Sequence, residues 1–396
     1  MSLTDARTVW LLLALSLATF VVTSSGSATA PFLQVIASDL STGLSAVAHL
    51  FSVQALTWGI ASLVAGTASD RWGRRPILIG AVVLLGVTRL GFAASESYAT
   101  AVTWQIVSGI GGGAFMGTVF AVVSDNVPAG ARGRALSWII TGQSLSLVLG
   151  VPLVTLLGTL GGWRGALAAH GAFTIACALA VRLAVPRDPP RVRDTHRERP
   201  PLKRLLEPRL VALLAAGTTE RMCFAALAIF LPTYLQRAYG ISLGPLALAL
   251  AVVALGSLLG NVLGGRIADR TRSRSGVFAA ASVLTAVLAP PTLMWQPGLW
   301  VSVAFGFAYS FVNASGRPSL LATLSEVPSE LRGALFGLNV TMASLGWLLA
   351  GSVGAGLLAT WGFAGIGTLC AATALLGACF AAASGRRSRA VAPGTA

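Results

Sequence analysis

Charge is scarce in this chain. Asp, Glu, Lys and Arg together make up 10% of 396 residues, and lysine occurs once, at Lys203. So few charges cannot cover the surface of a water-soluble domain of this length. There are four cysteines, Cys177, Cys223, Cys370 and Cys379, all inside apolar runs with no CxxC spacing. They read as small buried hydrophobes, which excludes a disulfide framework and a thiolate metal site. The three histidines, His49, His170 and His196, are scattered without ligand spacing, so no metal centre is expected. No nucleophile–base pair or phosphate-binding loop is present, which argues against an enzyme. GIGGGA at Gly109 looks like a dinucleotide loop, but it lies inside an apolar run with no strand before it.

What the chain does have is hydrophobicity, 55% of residues, and a formal charge of +15. The bases sit in turns between apolar segments, which fits membrane topology and not nucleic-acid binding. About 20 apolar residues cross a bilayer, and twelve such spans are predicted: 9–31, 46–67, 76–95, 99–123, 135–158, 163–185, 210–235, 245–266, 276–294, 299–323, 333–358 and 362–383. Arg7, the run Leu11 to Val22 and Ala28-Thr29-Ala30 imitate a cleaved secretory signal. Pro31 follows at once and generally blocks cleavage there, so an uncleaved first span is expected.

Alternate turns differ in charge. One set holds Arg71, Arg74, Arg75, Arg132, Arg134, Arg266, Arg270, Arg272, Arg274 and Arg332; the other has only Arg164 and Arg237 as bases. The first set belongs in the cytoplasm, and so do both termini, with Arg386, Arg387 and Arg389 in the tail agreeing. The Pro- and Arg-rich stretch from Pro186 to Pro208 reads as a cytoplasmic linker, with a short surface helix near Leu202 to Leu206. Its bases also suit anionic lipid headgroups.

The chain is internally duplicated. GTASDRWGRRPIL (Gly66 to Leu78) returns as GRIADRTRSR (Gly265 to Arg274), placing Asp70 and Asp269 199 residues apart. VPAGARG (Val127 to Gly133) returns as VPSELRG (Val327 to Gly333) at an offset of 200. Repeated charged turns between apolar helices describe a transporter built from repeats. The expected organisation is residues 1–185 and 210–385 as two six-helix halves, 186–209 as linker and 386–396 as tail.

Small residues recur four apart: Gly109, Gly113 and Gly117 on span four, and Gly256, Gly260 and Gly264 on span eight. That spacing lines one helix face and lets helices approach closely. Span five carries Gly142, Ser146, Gly150 and Pro152, with Met342, Gly346 and Ala350 corresponding on span eleven, and predicts a tightly packed, bendable helix.

On these residues the chain resembles the major facilitator superfamily over its whole length. Gly66, Asp70, Arg71, Gly73, Arg74 and Arg75 match the superfamily's signature between spans two and three. Gly142, Gly150 and Pro152, with Gly162-Trp163-Arg164, resemble its bacterial drug:proton antiporter and sugar-efflux branch. The resemblance implies an all-α membrane protein with the major facilitator fold, twelve spans in two pseudo-symmetric halves. It implies that Asp70 receives the amides of a helix start in the opposite half, with Arg74 and Arg132 completing a cytoplasmic charge lock. Asp269 and Arg270 stand at the corresponding place in the second copy. One position departs from the pattern: Gln105 stands where span four usually carries an arginine. Arg89 on span three is then either a relocated arginine or a side chain that snorkels outward.

An ionisable group at mid-bilayer costs about 2.5–3.5 kcal/mol, so each needs a reason. Glu220, ten residues into span seven, is the only acid well inside a span, which makes it the candidate proton-coupling residue. Arg221 follows it and, by helical geometry, points about 100° away. Tyr309, Asn313 and Arg317 share one face of span ten. Ser16, Thr19, Thr23 and Ser27 line span one, and Gln143, Asn261 and Asn339 add single polar groups. Superfamily members build their cavity from the spans that carry these residues. The resemblance therefore makes Thr23, Ser27, Gln105, Gln143, Arg221, Tyr309, Asn313, Arg317 and Asn339 candidate solute contacts.

The sequence thus predicts a monomer-sized, proton-driven exporter of a small organic solute in the cell membrane, with no cofactor besides the proton gradient. Transport of a sugar or organic anion is the second reading, which Arg221 and Arg317 suit. A membrane receptor that no longer transports is the third.

Overall fold

The computed structural model of the protein describes residues 5–128, 131–187, 207–271, 273–326 and 329–391. The expected surface helix at Leu202 to Leu206 and most of the linker lie outside them.

The described chain is helical. In order come α1 (Ala6–Ser27), a 3-10 turn (Ala30–Phe32), α2 (Leu33–Asp39), α3 (Leu44–Trp72), α4 (Arg74–Ala93), α5 (Tyr98–Asn126) and α6 (Arg132–Leu145). A π-helical turn (Ser146–Gly150) leads into α7 (Val151–Ala184), followed by α8 (Pro208–Tyr239), α9 (Leu243–Arg270), α10 (Arg274–Leu293), α11 (Leu299–Ser325) and α12 (Ser329–Val391). Nine stretches are long and apolar enough to cross a membrane among the described residues. Two of them are pairs of helices joined at a break, at Gly161–Gly162 in α7 and at Gly362 in α12. α11 is also long enough to span, but Tyr309, Asn313 and Arg317 lower its hydropathy. With α11 and the two divided pairs, the twelve expected spans are all helical.

The breaks follow from glycine. Gly162 and Gly362 both have φ of +62°, a left-handed backbone that glycine reaches without steric cost. They stand 200 residues apart, so the duplication extends to the backbone. Gly73, at φ +95°, lets α3 stop at Trp72 and α4 start at Arg74. The charged motif is therefore a one-residue hinge between two helices, and not a loop.

The chain divides into two compact units, Met1–Arg193 with Gly240–Ala251, and Asp194–Tyr239 with Val252–Ala396. In the first, α3 and α4 pack on α5, α4 packs on α7, and α1 lies against α6 and α7. Its core includes Leu15, Val22, Leu78, Leu85, Phe115, Val119, Cys177 and Val181. In the second, α8 and α10 pack on α12 and α10 on α11, around Leu213, Phe278, Leu320, Leu324 and Leu335. Large apolar side chains such as Leu160 and Leu183 lie on the outside. Outward-facing aliphatic groups suit hydrocarbon as the solvent.

The glycine stripes act as predicted. A Cβ at Gly113 would meet the Trp58 carbonyl, so α5 lies close on α3, and one at Gly260 would meet the Phe311 carbonyl, so α9 lies close on α11. On span five the predicted bend is a π-helical turn that includes Ser146 and Gly150. Cys177, Cys223 and Cys370 are buried as expected, whereas Cys379 is exposed on its helix.

Candidate functional site: charged hinges and buried polar clusters

At one end of the first unit the Gly73 hinge brings Asp70, near the end of α3, and Arg74, at the start of α4, to 3.4 Å. The Nε of Arg74 also stands 2.8 Å from Oδ2 of Asp125, at the end of α5. Arg75 donates from Nη2 to the Arg182 carbonyl at 2.6 Å, covering the last turn of α7. Arg71 is exposed and Gly66 half-buried. Arg132 does not join an acid among the described residues; its Nε donates to the Val127 carbonyl at 3.3 Å. Within this unit the acid that completes the Arg74 cluster is Asp125, which the sequence reading passed over.

The second copy differs. Asp269 and Arg270 are exposed at the end of α9, and neither makes an ion pair among the described residues. Arg274 instead pairs with Glu326 at the end of α11 and donates from Nε to the Ala268 carbonyl at 3.2 Å. Asp125 and Glu326 each stand just before one of the duplicated VP motifs, so the repeat itself carried the signal for both.

Inside the second unit Glu220 is 6% exposed. Arg221 does not point away from it, as helical geometry suggested. The guanidinium folds back in a two-point pair, with Nε to Oε2 at 2.6 Å and Nη2 to Oε1. A long flexible stem reaches its sequence neighbour when both are withdrawn from water, because the alternative is two unpaired charges. Arg221 also lies 4.6 Å over the Phe224 ring, which meets Trp347 edge-on. Arg317 is half-buried within electrostatic range of Glu220 and Arg221 and has no hydrogen-bonded acid among the described residues. The Tyr309 hydroxyl donates to the Cys223 carbonyl at 3.2 Å, tying α11 to α8. Asn313 is buried, and its Oδ1 has no partner among the described residues. The Asn339 amide oxygen lies beside Gly217.

The first unit holds the other candidates. Thr23 donates to the Thr19 carbonyl of its own helix at 2.7 Å. Ser27 is buried and Gln143 half-buried. Gln105 is 1% exposed. The polar centre of this unit is Arg89, which is fully buried and does not snorkel. Its ligands, Ser25, Thr29 and Ser108, and the adjoining pair of Ser24 and His170, were missed. The expected stripe on span one followed Ser16, Thr19, Thr23 and Ser27, while the hydroxyls that join the Arg89 cluster are Ser24 and Ser25, off that stripe, and Thr29 beyond it.

Helices among the described residues, apolar outer faces, a duplicated charged motif and a buried Glu220–Arg221 pair define a multi-pass membrane protein of the transporter class. Residues 15–246 and 213–396 match the Major Facilitator Superfamily, and the chain belongs to that family of secondary transporters. It is 28% identical over 330 residues to a chloramphenicol resistance protein of Streptomyces lividans, covering 78% of this chain and 83% of that one. It is 23% identical over 348 residues to the inner membrane transport protein YdhP of Escherichia coli strain K12, covering 88% of each. Among solved structures it resembles a bacterial homolog to the human lysosomal transporter Spinster, in an inward-facing and unoccupied conformation. The TM-score is 0.79 at 16% identity, over 97% of this chain and 98% of that one, which shows a shared fold.

Proposed function

We propose that the protein exports a small organic solute in exchange for protons, by alternating access in the cell membrane, with Glu220 as the group that binds the proton. The observation that carries this reading is the buried pair of Glu220 and Arg221. As a pair the two groups are close to neutral and are tolerated in the apolar interior. A charged Glu220 would accept from a solute N–H or O–H while Arg221 donates to a neighbouring solute carbonyl or hydroxyl, and a proton on Glu220 removes the first of these bonds. Solute and proton thus compete for the same neighbourhood, which is the condition for exchange. Arg317, Tyr309 and Asn313 from α11 and Asn339 from α12 are the solute contacts of the second unit in this reading. The relative named for chloramphenicol resistance supports a drug-like solute and outward transport. Asp70, Arg71, Arg74, Arg132, Asp269 and Arg270 act at the cytoplasmic gate, and the halves 1–185 and 210–385 work as a monomer.

The test uses sealed proteoliposomes containing a pH-sensitive dye and a panel that includes an amphenicol. A solute gradient directed outward should draw protons inward and acidify the lumen. Net solute efflux without any change in pH, for every transported solute, would refute coupling. A second reading, exchange of an anionic metabolite, is favoured by Arg317, which brings a positive charge to the site without an acid bonded to it. Counterflow of a carboxylate that is not shared by neutral solutes would favour this second reading.

A further inference from the structure

A second buried charge, far less well compensated than Glu220, sits in the first unit. Arg89 on α4 is 1% exposed. Its Nε donates to Ser25 Oγ at 2.6 Å, Nη1 to Thr29 Oγ1 at 3.3 Å and Nη2 to Ser108 Oγ at 3.0 Å. All three acceptors are neutral hydroxyls. No described acid pairs with it: Asp39 faces Arg164, Asp70 and Asp125 face Arg74, Glu220 faces Arg221 and Glu326 faces Arg274. A guanidinium withdrawn from water without a counter-charge costs several kcal/mol, and hydroxyl dipoles return only part of that.

The hydrogen-bond inventory around Arg89 is equally one-sided. A guanidinium has five N–H donors, and three are used. Ser108 accepts a second bond, from Gln54 Nε2 at 3.0 Å. Thr19, Thr23 and Ser24 spend their hydroxyl hydrogens on carbonyls of their own helix. Ser25, Thr29 and Ser108 have no such acceptor among the described residues, so their hydrogens remain able to donate. Gln105 lies one turn from Ser108 on the same side of α5. It too is 1% exposed, yet neither its Nε2 nor its Oε1 has a partner among the described residues. His170, whose Nε2 is 2.9 Å from Ser24 Oγ, has an unpartnered Nδ1 and lies within electrostatic range of Arg89. Four helices and the end of a fifth thus converge on a buried, positively charged place with more unpartnered donors than acceptors, the acceptors being Gln105 Oε1 and His170 Nδ1. Bound water would satisfy the donors but leave the charge uncompensated. An anion answers both.

We propose that the first unit binds one small monoanion, either a halide or the carboxylate group of an organic acid, between the guanidinium of Arg89, the hydroxyls of Ser25, Thr29 and Ser108, and the carboxamide of Gln105. The site stands independently of the Glu220 reading, since it involves no residue of the second unit.

The experiment is equilibrium binding of radiolabelled chloride to the purified full-length protein in gluconate buffer at constant ionic strength. One saturable site per chain is expected. Arg89→Gln should weaken binding by about tenfold or more, in keeping with loss of bonds to a charged group. Gln105→Leu, which keeps the volume and the arginine, should weaken it about threefold or more. Arg237→Gln, at an exposed position, should bind as wild type does. Acetate that displaces the chloride identifies a site open to carboxylates, and acetate that does not displace it identifies a halide site. Absence of saturable binding of both chloride and acetate to wild type would overturn the proposal. Unchanged chloride binding in folded Arg89→Gln would also overturn it. If Arg89→Gln fails to fold, unchanged binding in Gln105→Leu serves the same end.

Discussion

Arg74 stands 2.8 Å from Asp125, and two hundred residues further on Arg274 pairs with Glu326. Both pairs join the start of one helix, just after a charged hinge, to the end of the next long helix. In the first unit Asp70 also reaches Arg74, so one guanidinium serves two carboxylates. In the second unit Asp269 makes no such contact among the described residues. The duplicated chain keeps the outer staple in both copies and the inner one in the first alone.

Asp70→Asn should therefore lower transport about tenfold or more while leaving insertion and folding intact, because exposed ion pairs contribute only about 0–1 kcal/mol to stability. Initial rates in proteoliposomes, normalised to inserted protein, provide the check. Wild-type rates would reduce the segment to a topology signal.

Glu220→Gln should abolish acceleration by a pH gradient and preserve solute exchange at zero gradient. The carboxamide fills the same space and still accepts a hydrogen bond from Arg221, but it can no longer gain or lose a proton. Exchange and thermal stability falling together would mean that the pair only holds α8 in shape.

Arg317→Ala should raise the solute concentration for half-maximal counterflow by about fivefold or more with little change in unfolding temperature, since the guanidinium bonds no described acid. Unchanged affinity for every transported solute in the folded variant would remove Arg317 from the site.

Gly260→Val should destabilise the protein by about 1–3 kcal/mol, the usual cost of forcing extra volume into a packed contact. The added carbons meet the Phe311 backbone, which cannot swing aside as a side chain can. Gly265→Ala, five residues later with nothing within 4 Å of the added carbon, should be neutral or slightly stabilising. Thermal unfolding in detergent compares the two, and equal shifts would contradict the close approach of α9 to α11.

A single cysteine placed in the linker at 188–206 should react with a membrane-impermeant maleimide only when it is supplied from the cytoplasmic side, because arginine-rich segments resist translocation. Labelling from the outside of intact cells would reverse the topology.

Composition, periodicity and duplication sufficed for the membrane class, the twelve spans and the paired charged hinges. Apolar length, glycine at fixed intervals and a repeat near 200 residues are properties of the chain itself and need no folded partner to be seen. Glu220 stood out in the same way, because an acid in an apolar run is visible one residue at a time. The partners of these groups were decided by tertiary structure. Arg221 lies next to Glu220 in sequence and about 100° away by ideal helix geometry, yet its flexible stem closes the pair once water is excluded. Asp125 reaches Arg74 only because α5 ends beside the start of α4. Ser25, Thr29 and Ser108 are ordinary polar residues in any helical projection. They meet Arg89 only after α1, α4 and α5 have packed, because a buried charge takes its environment from whichever side chains the packing delivers to it.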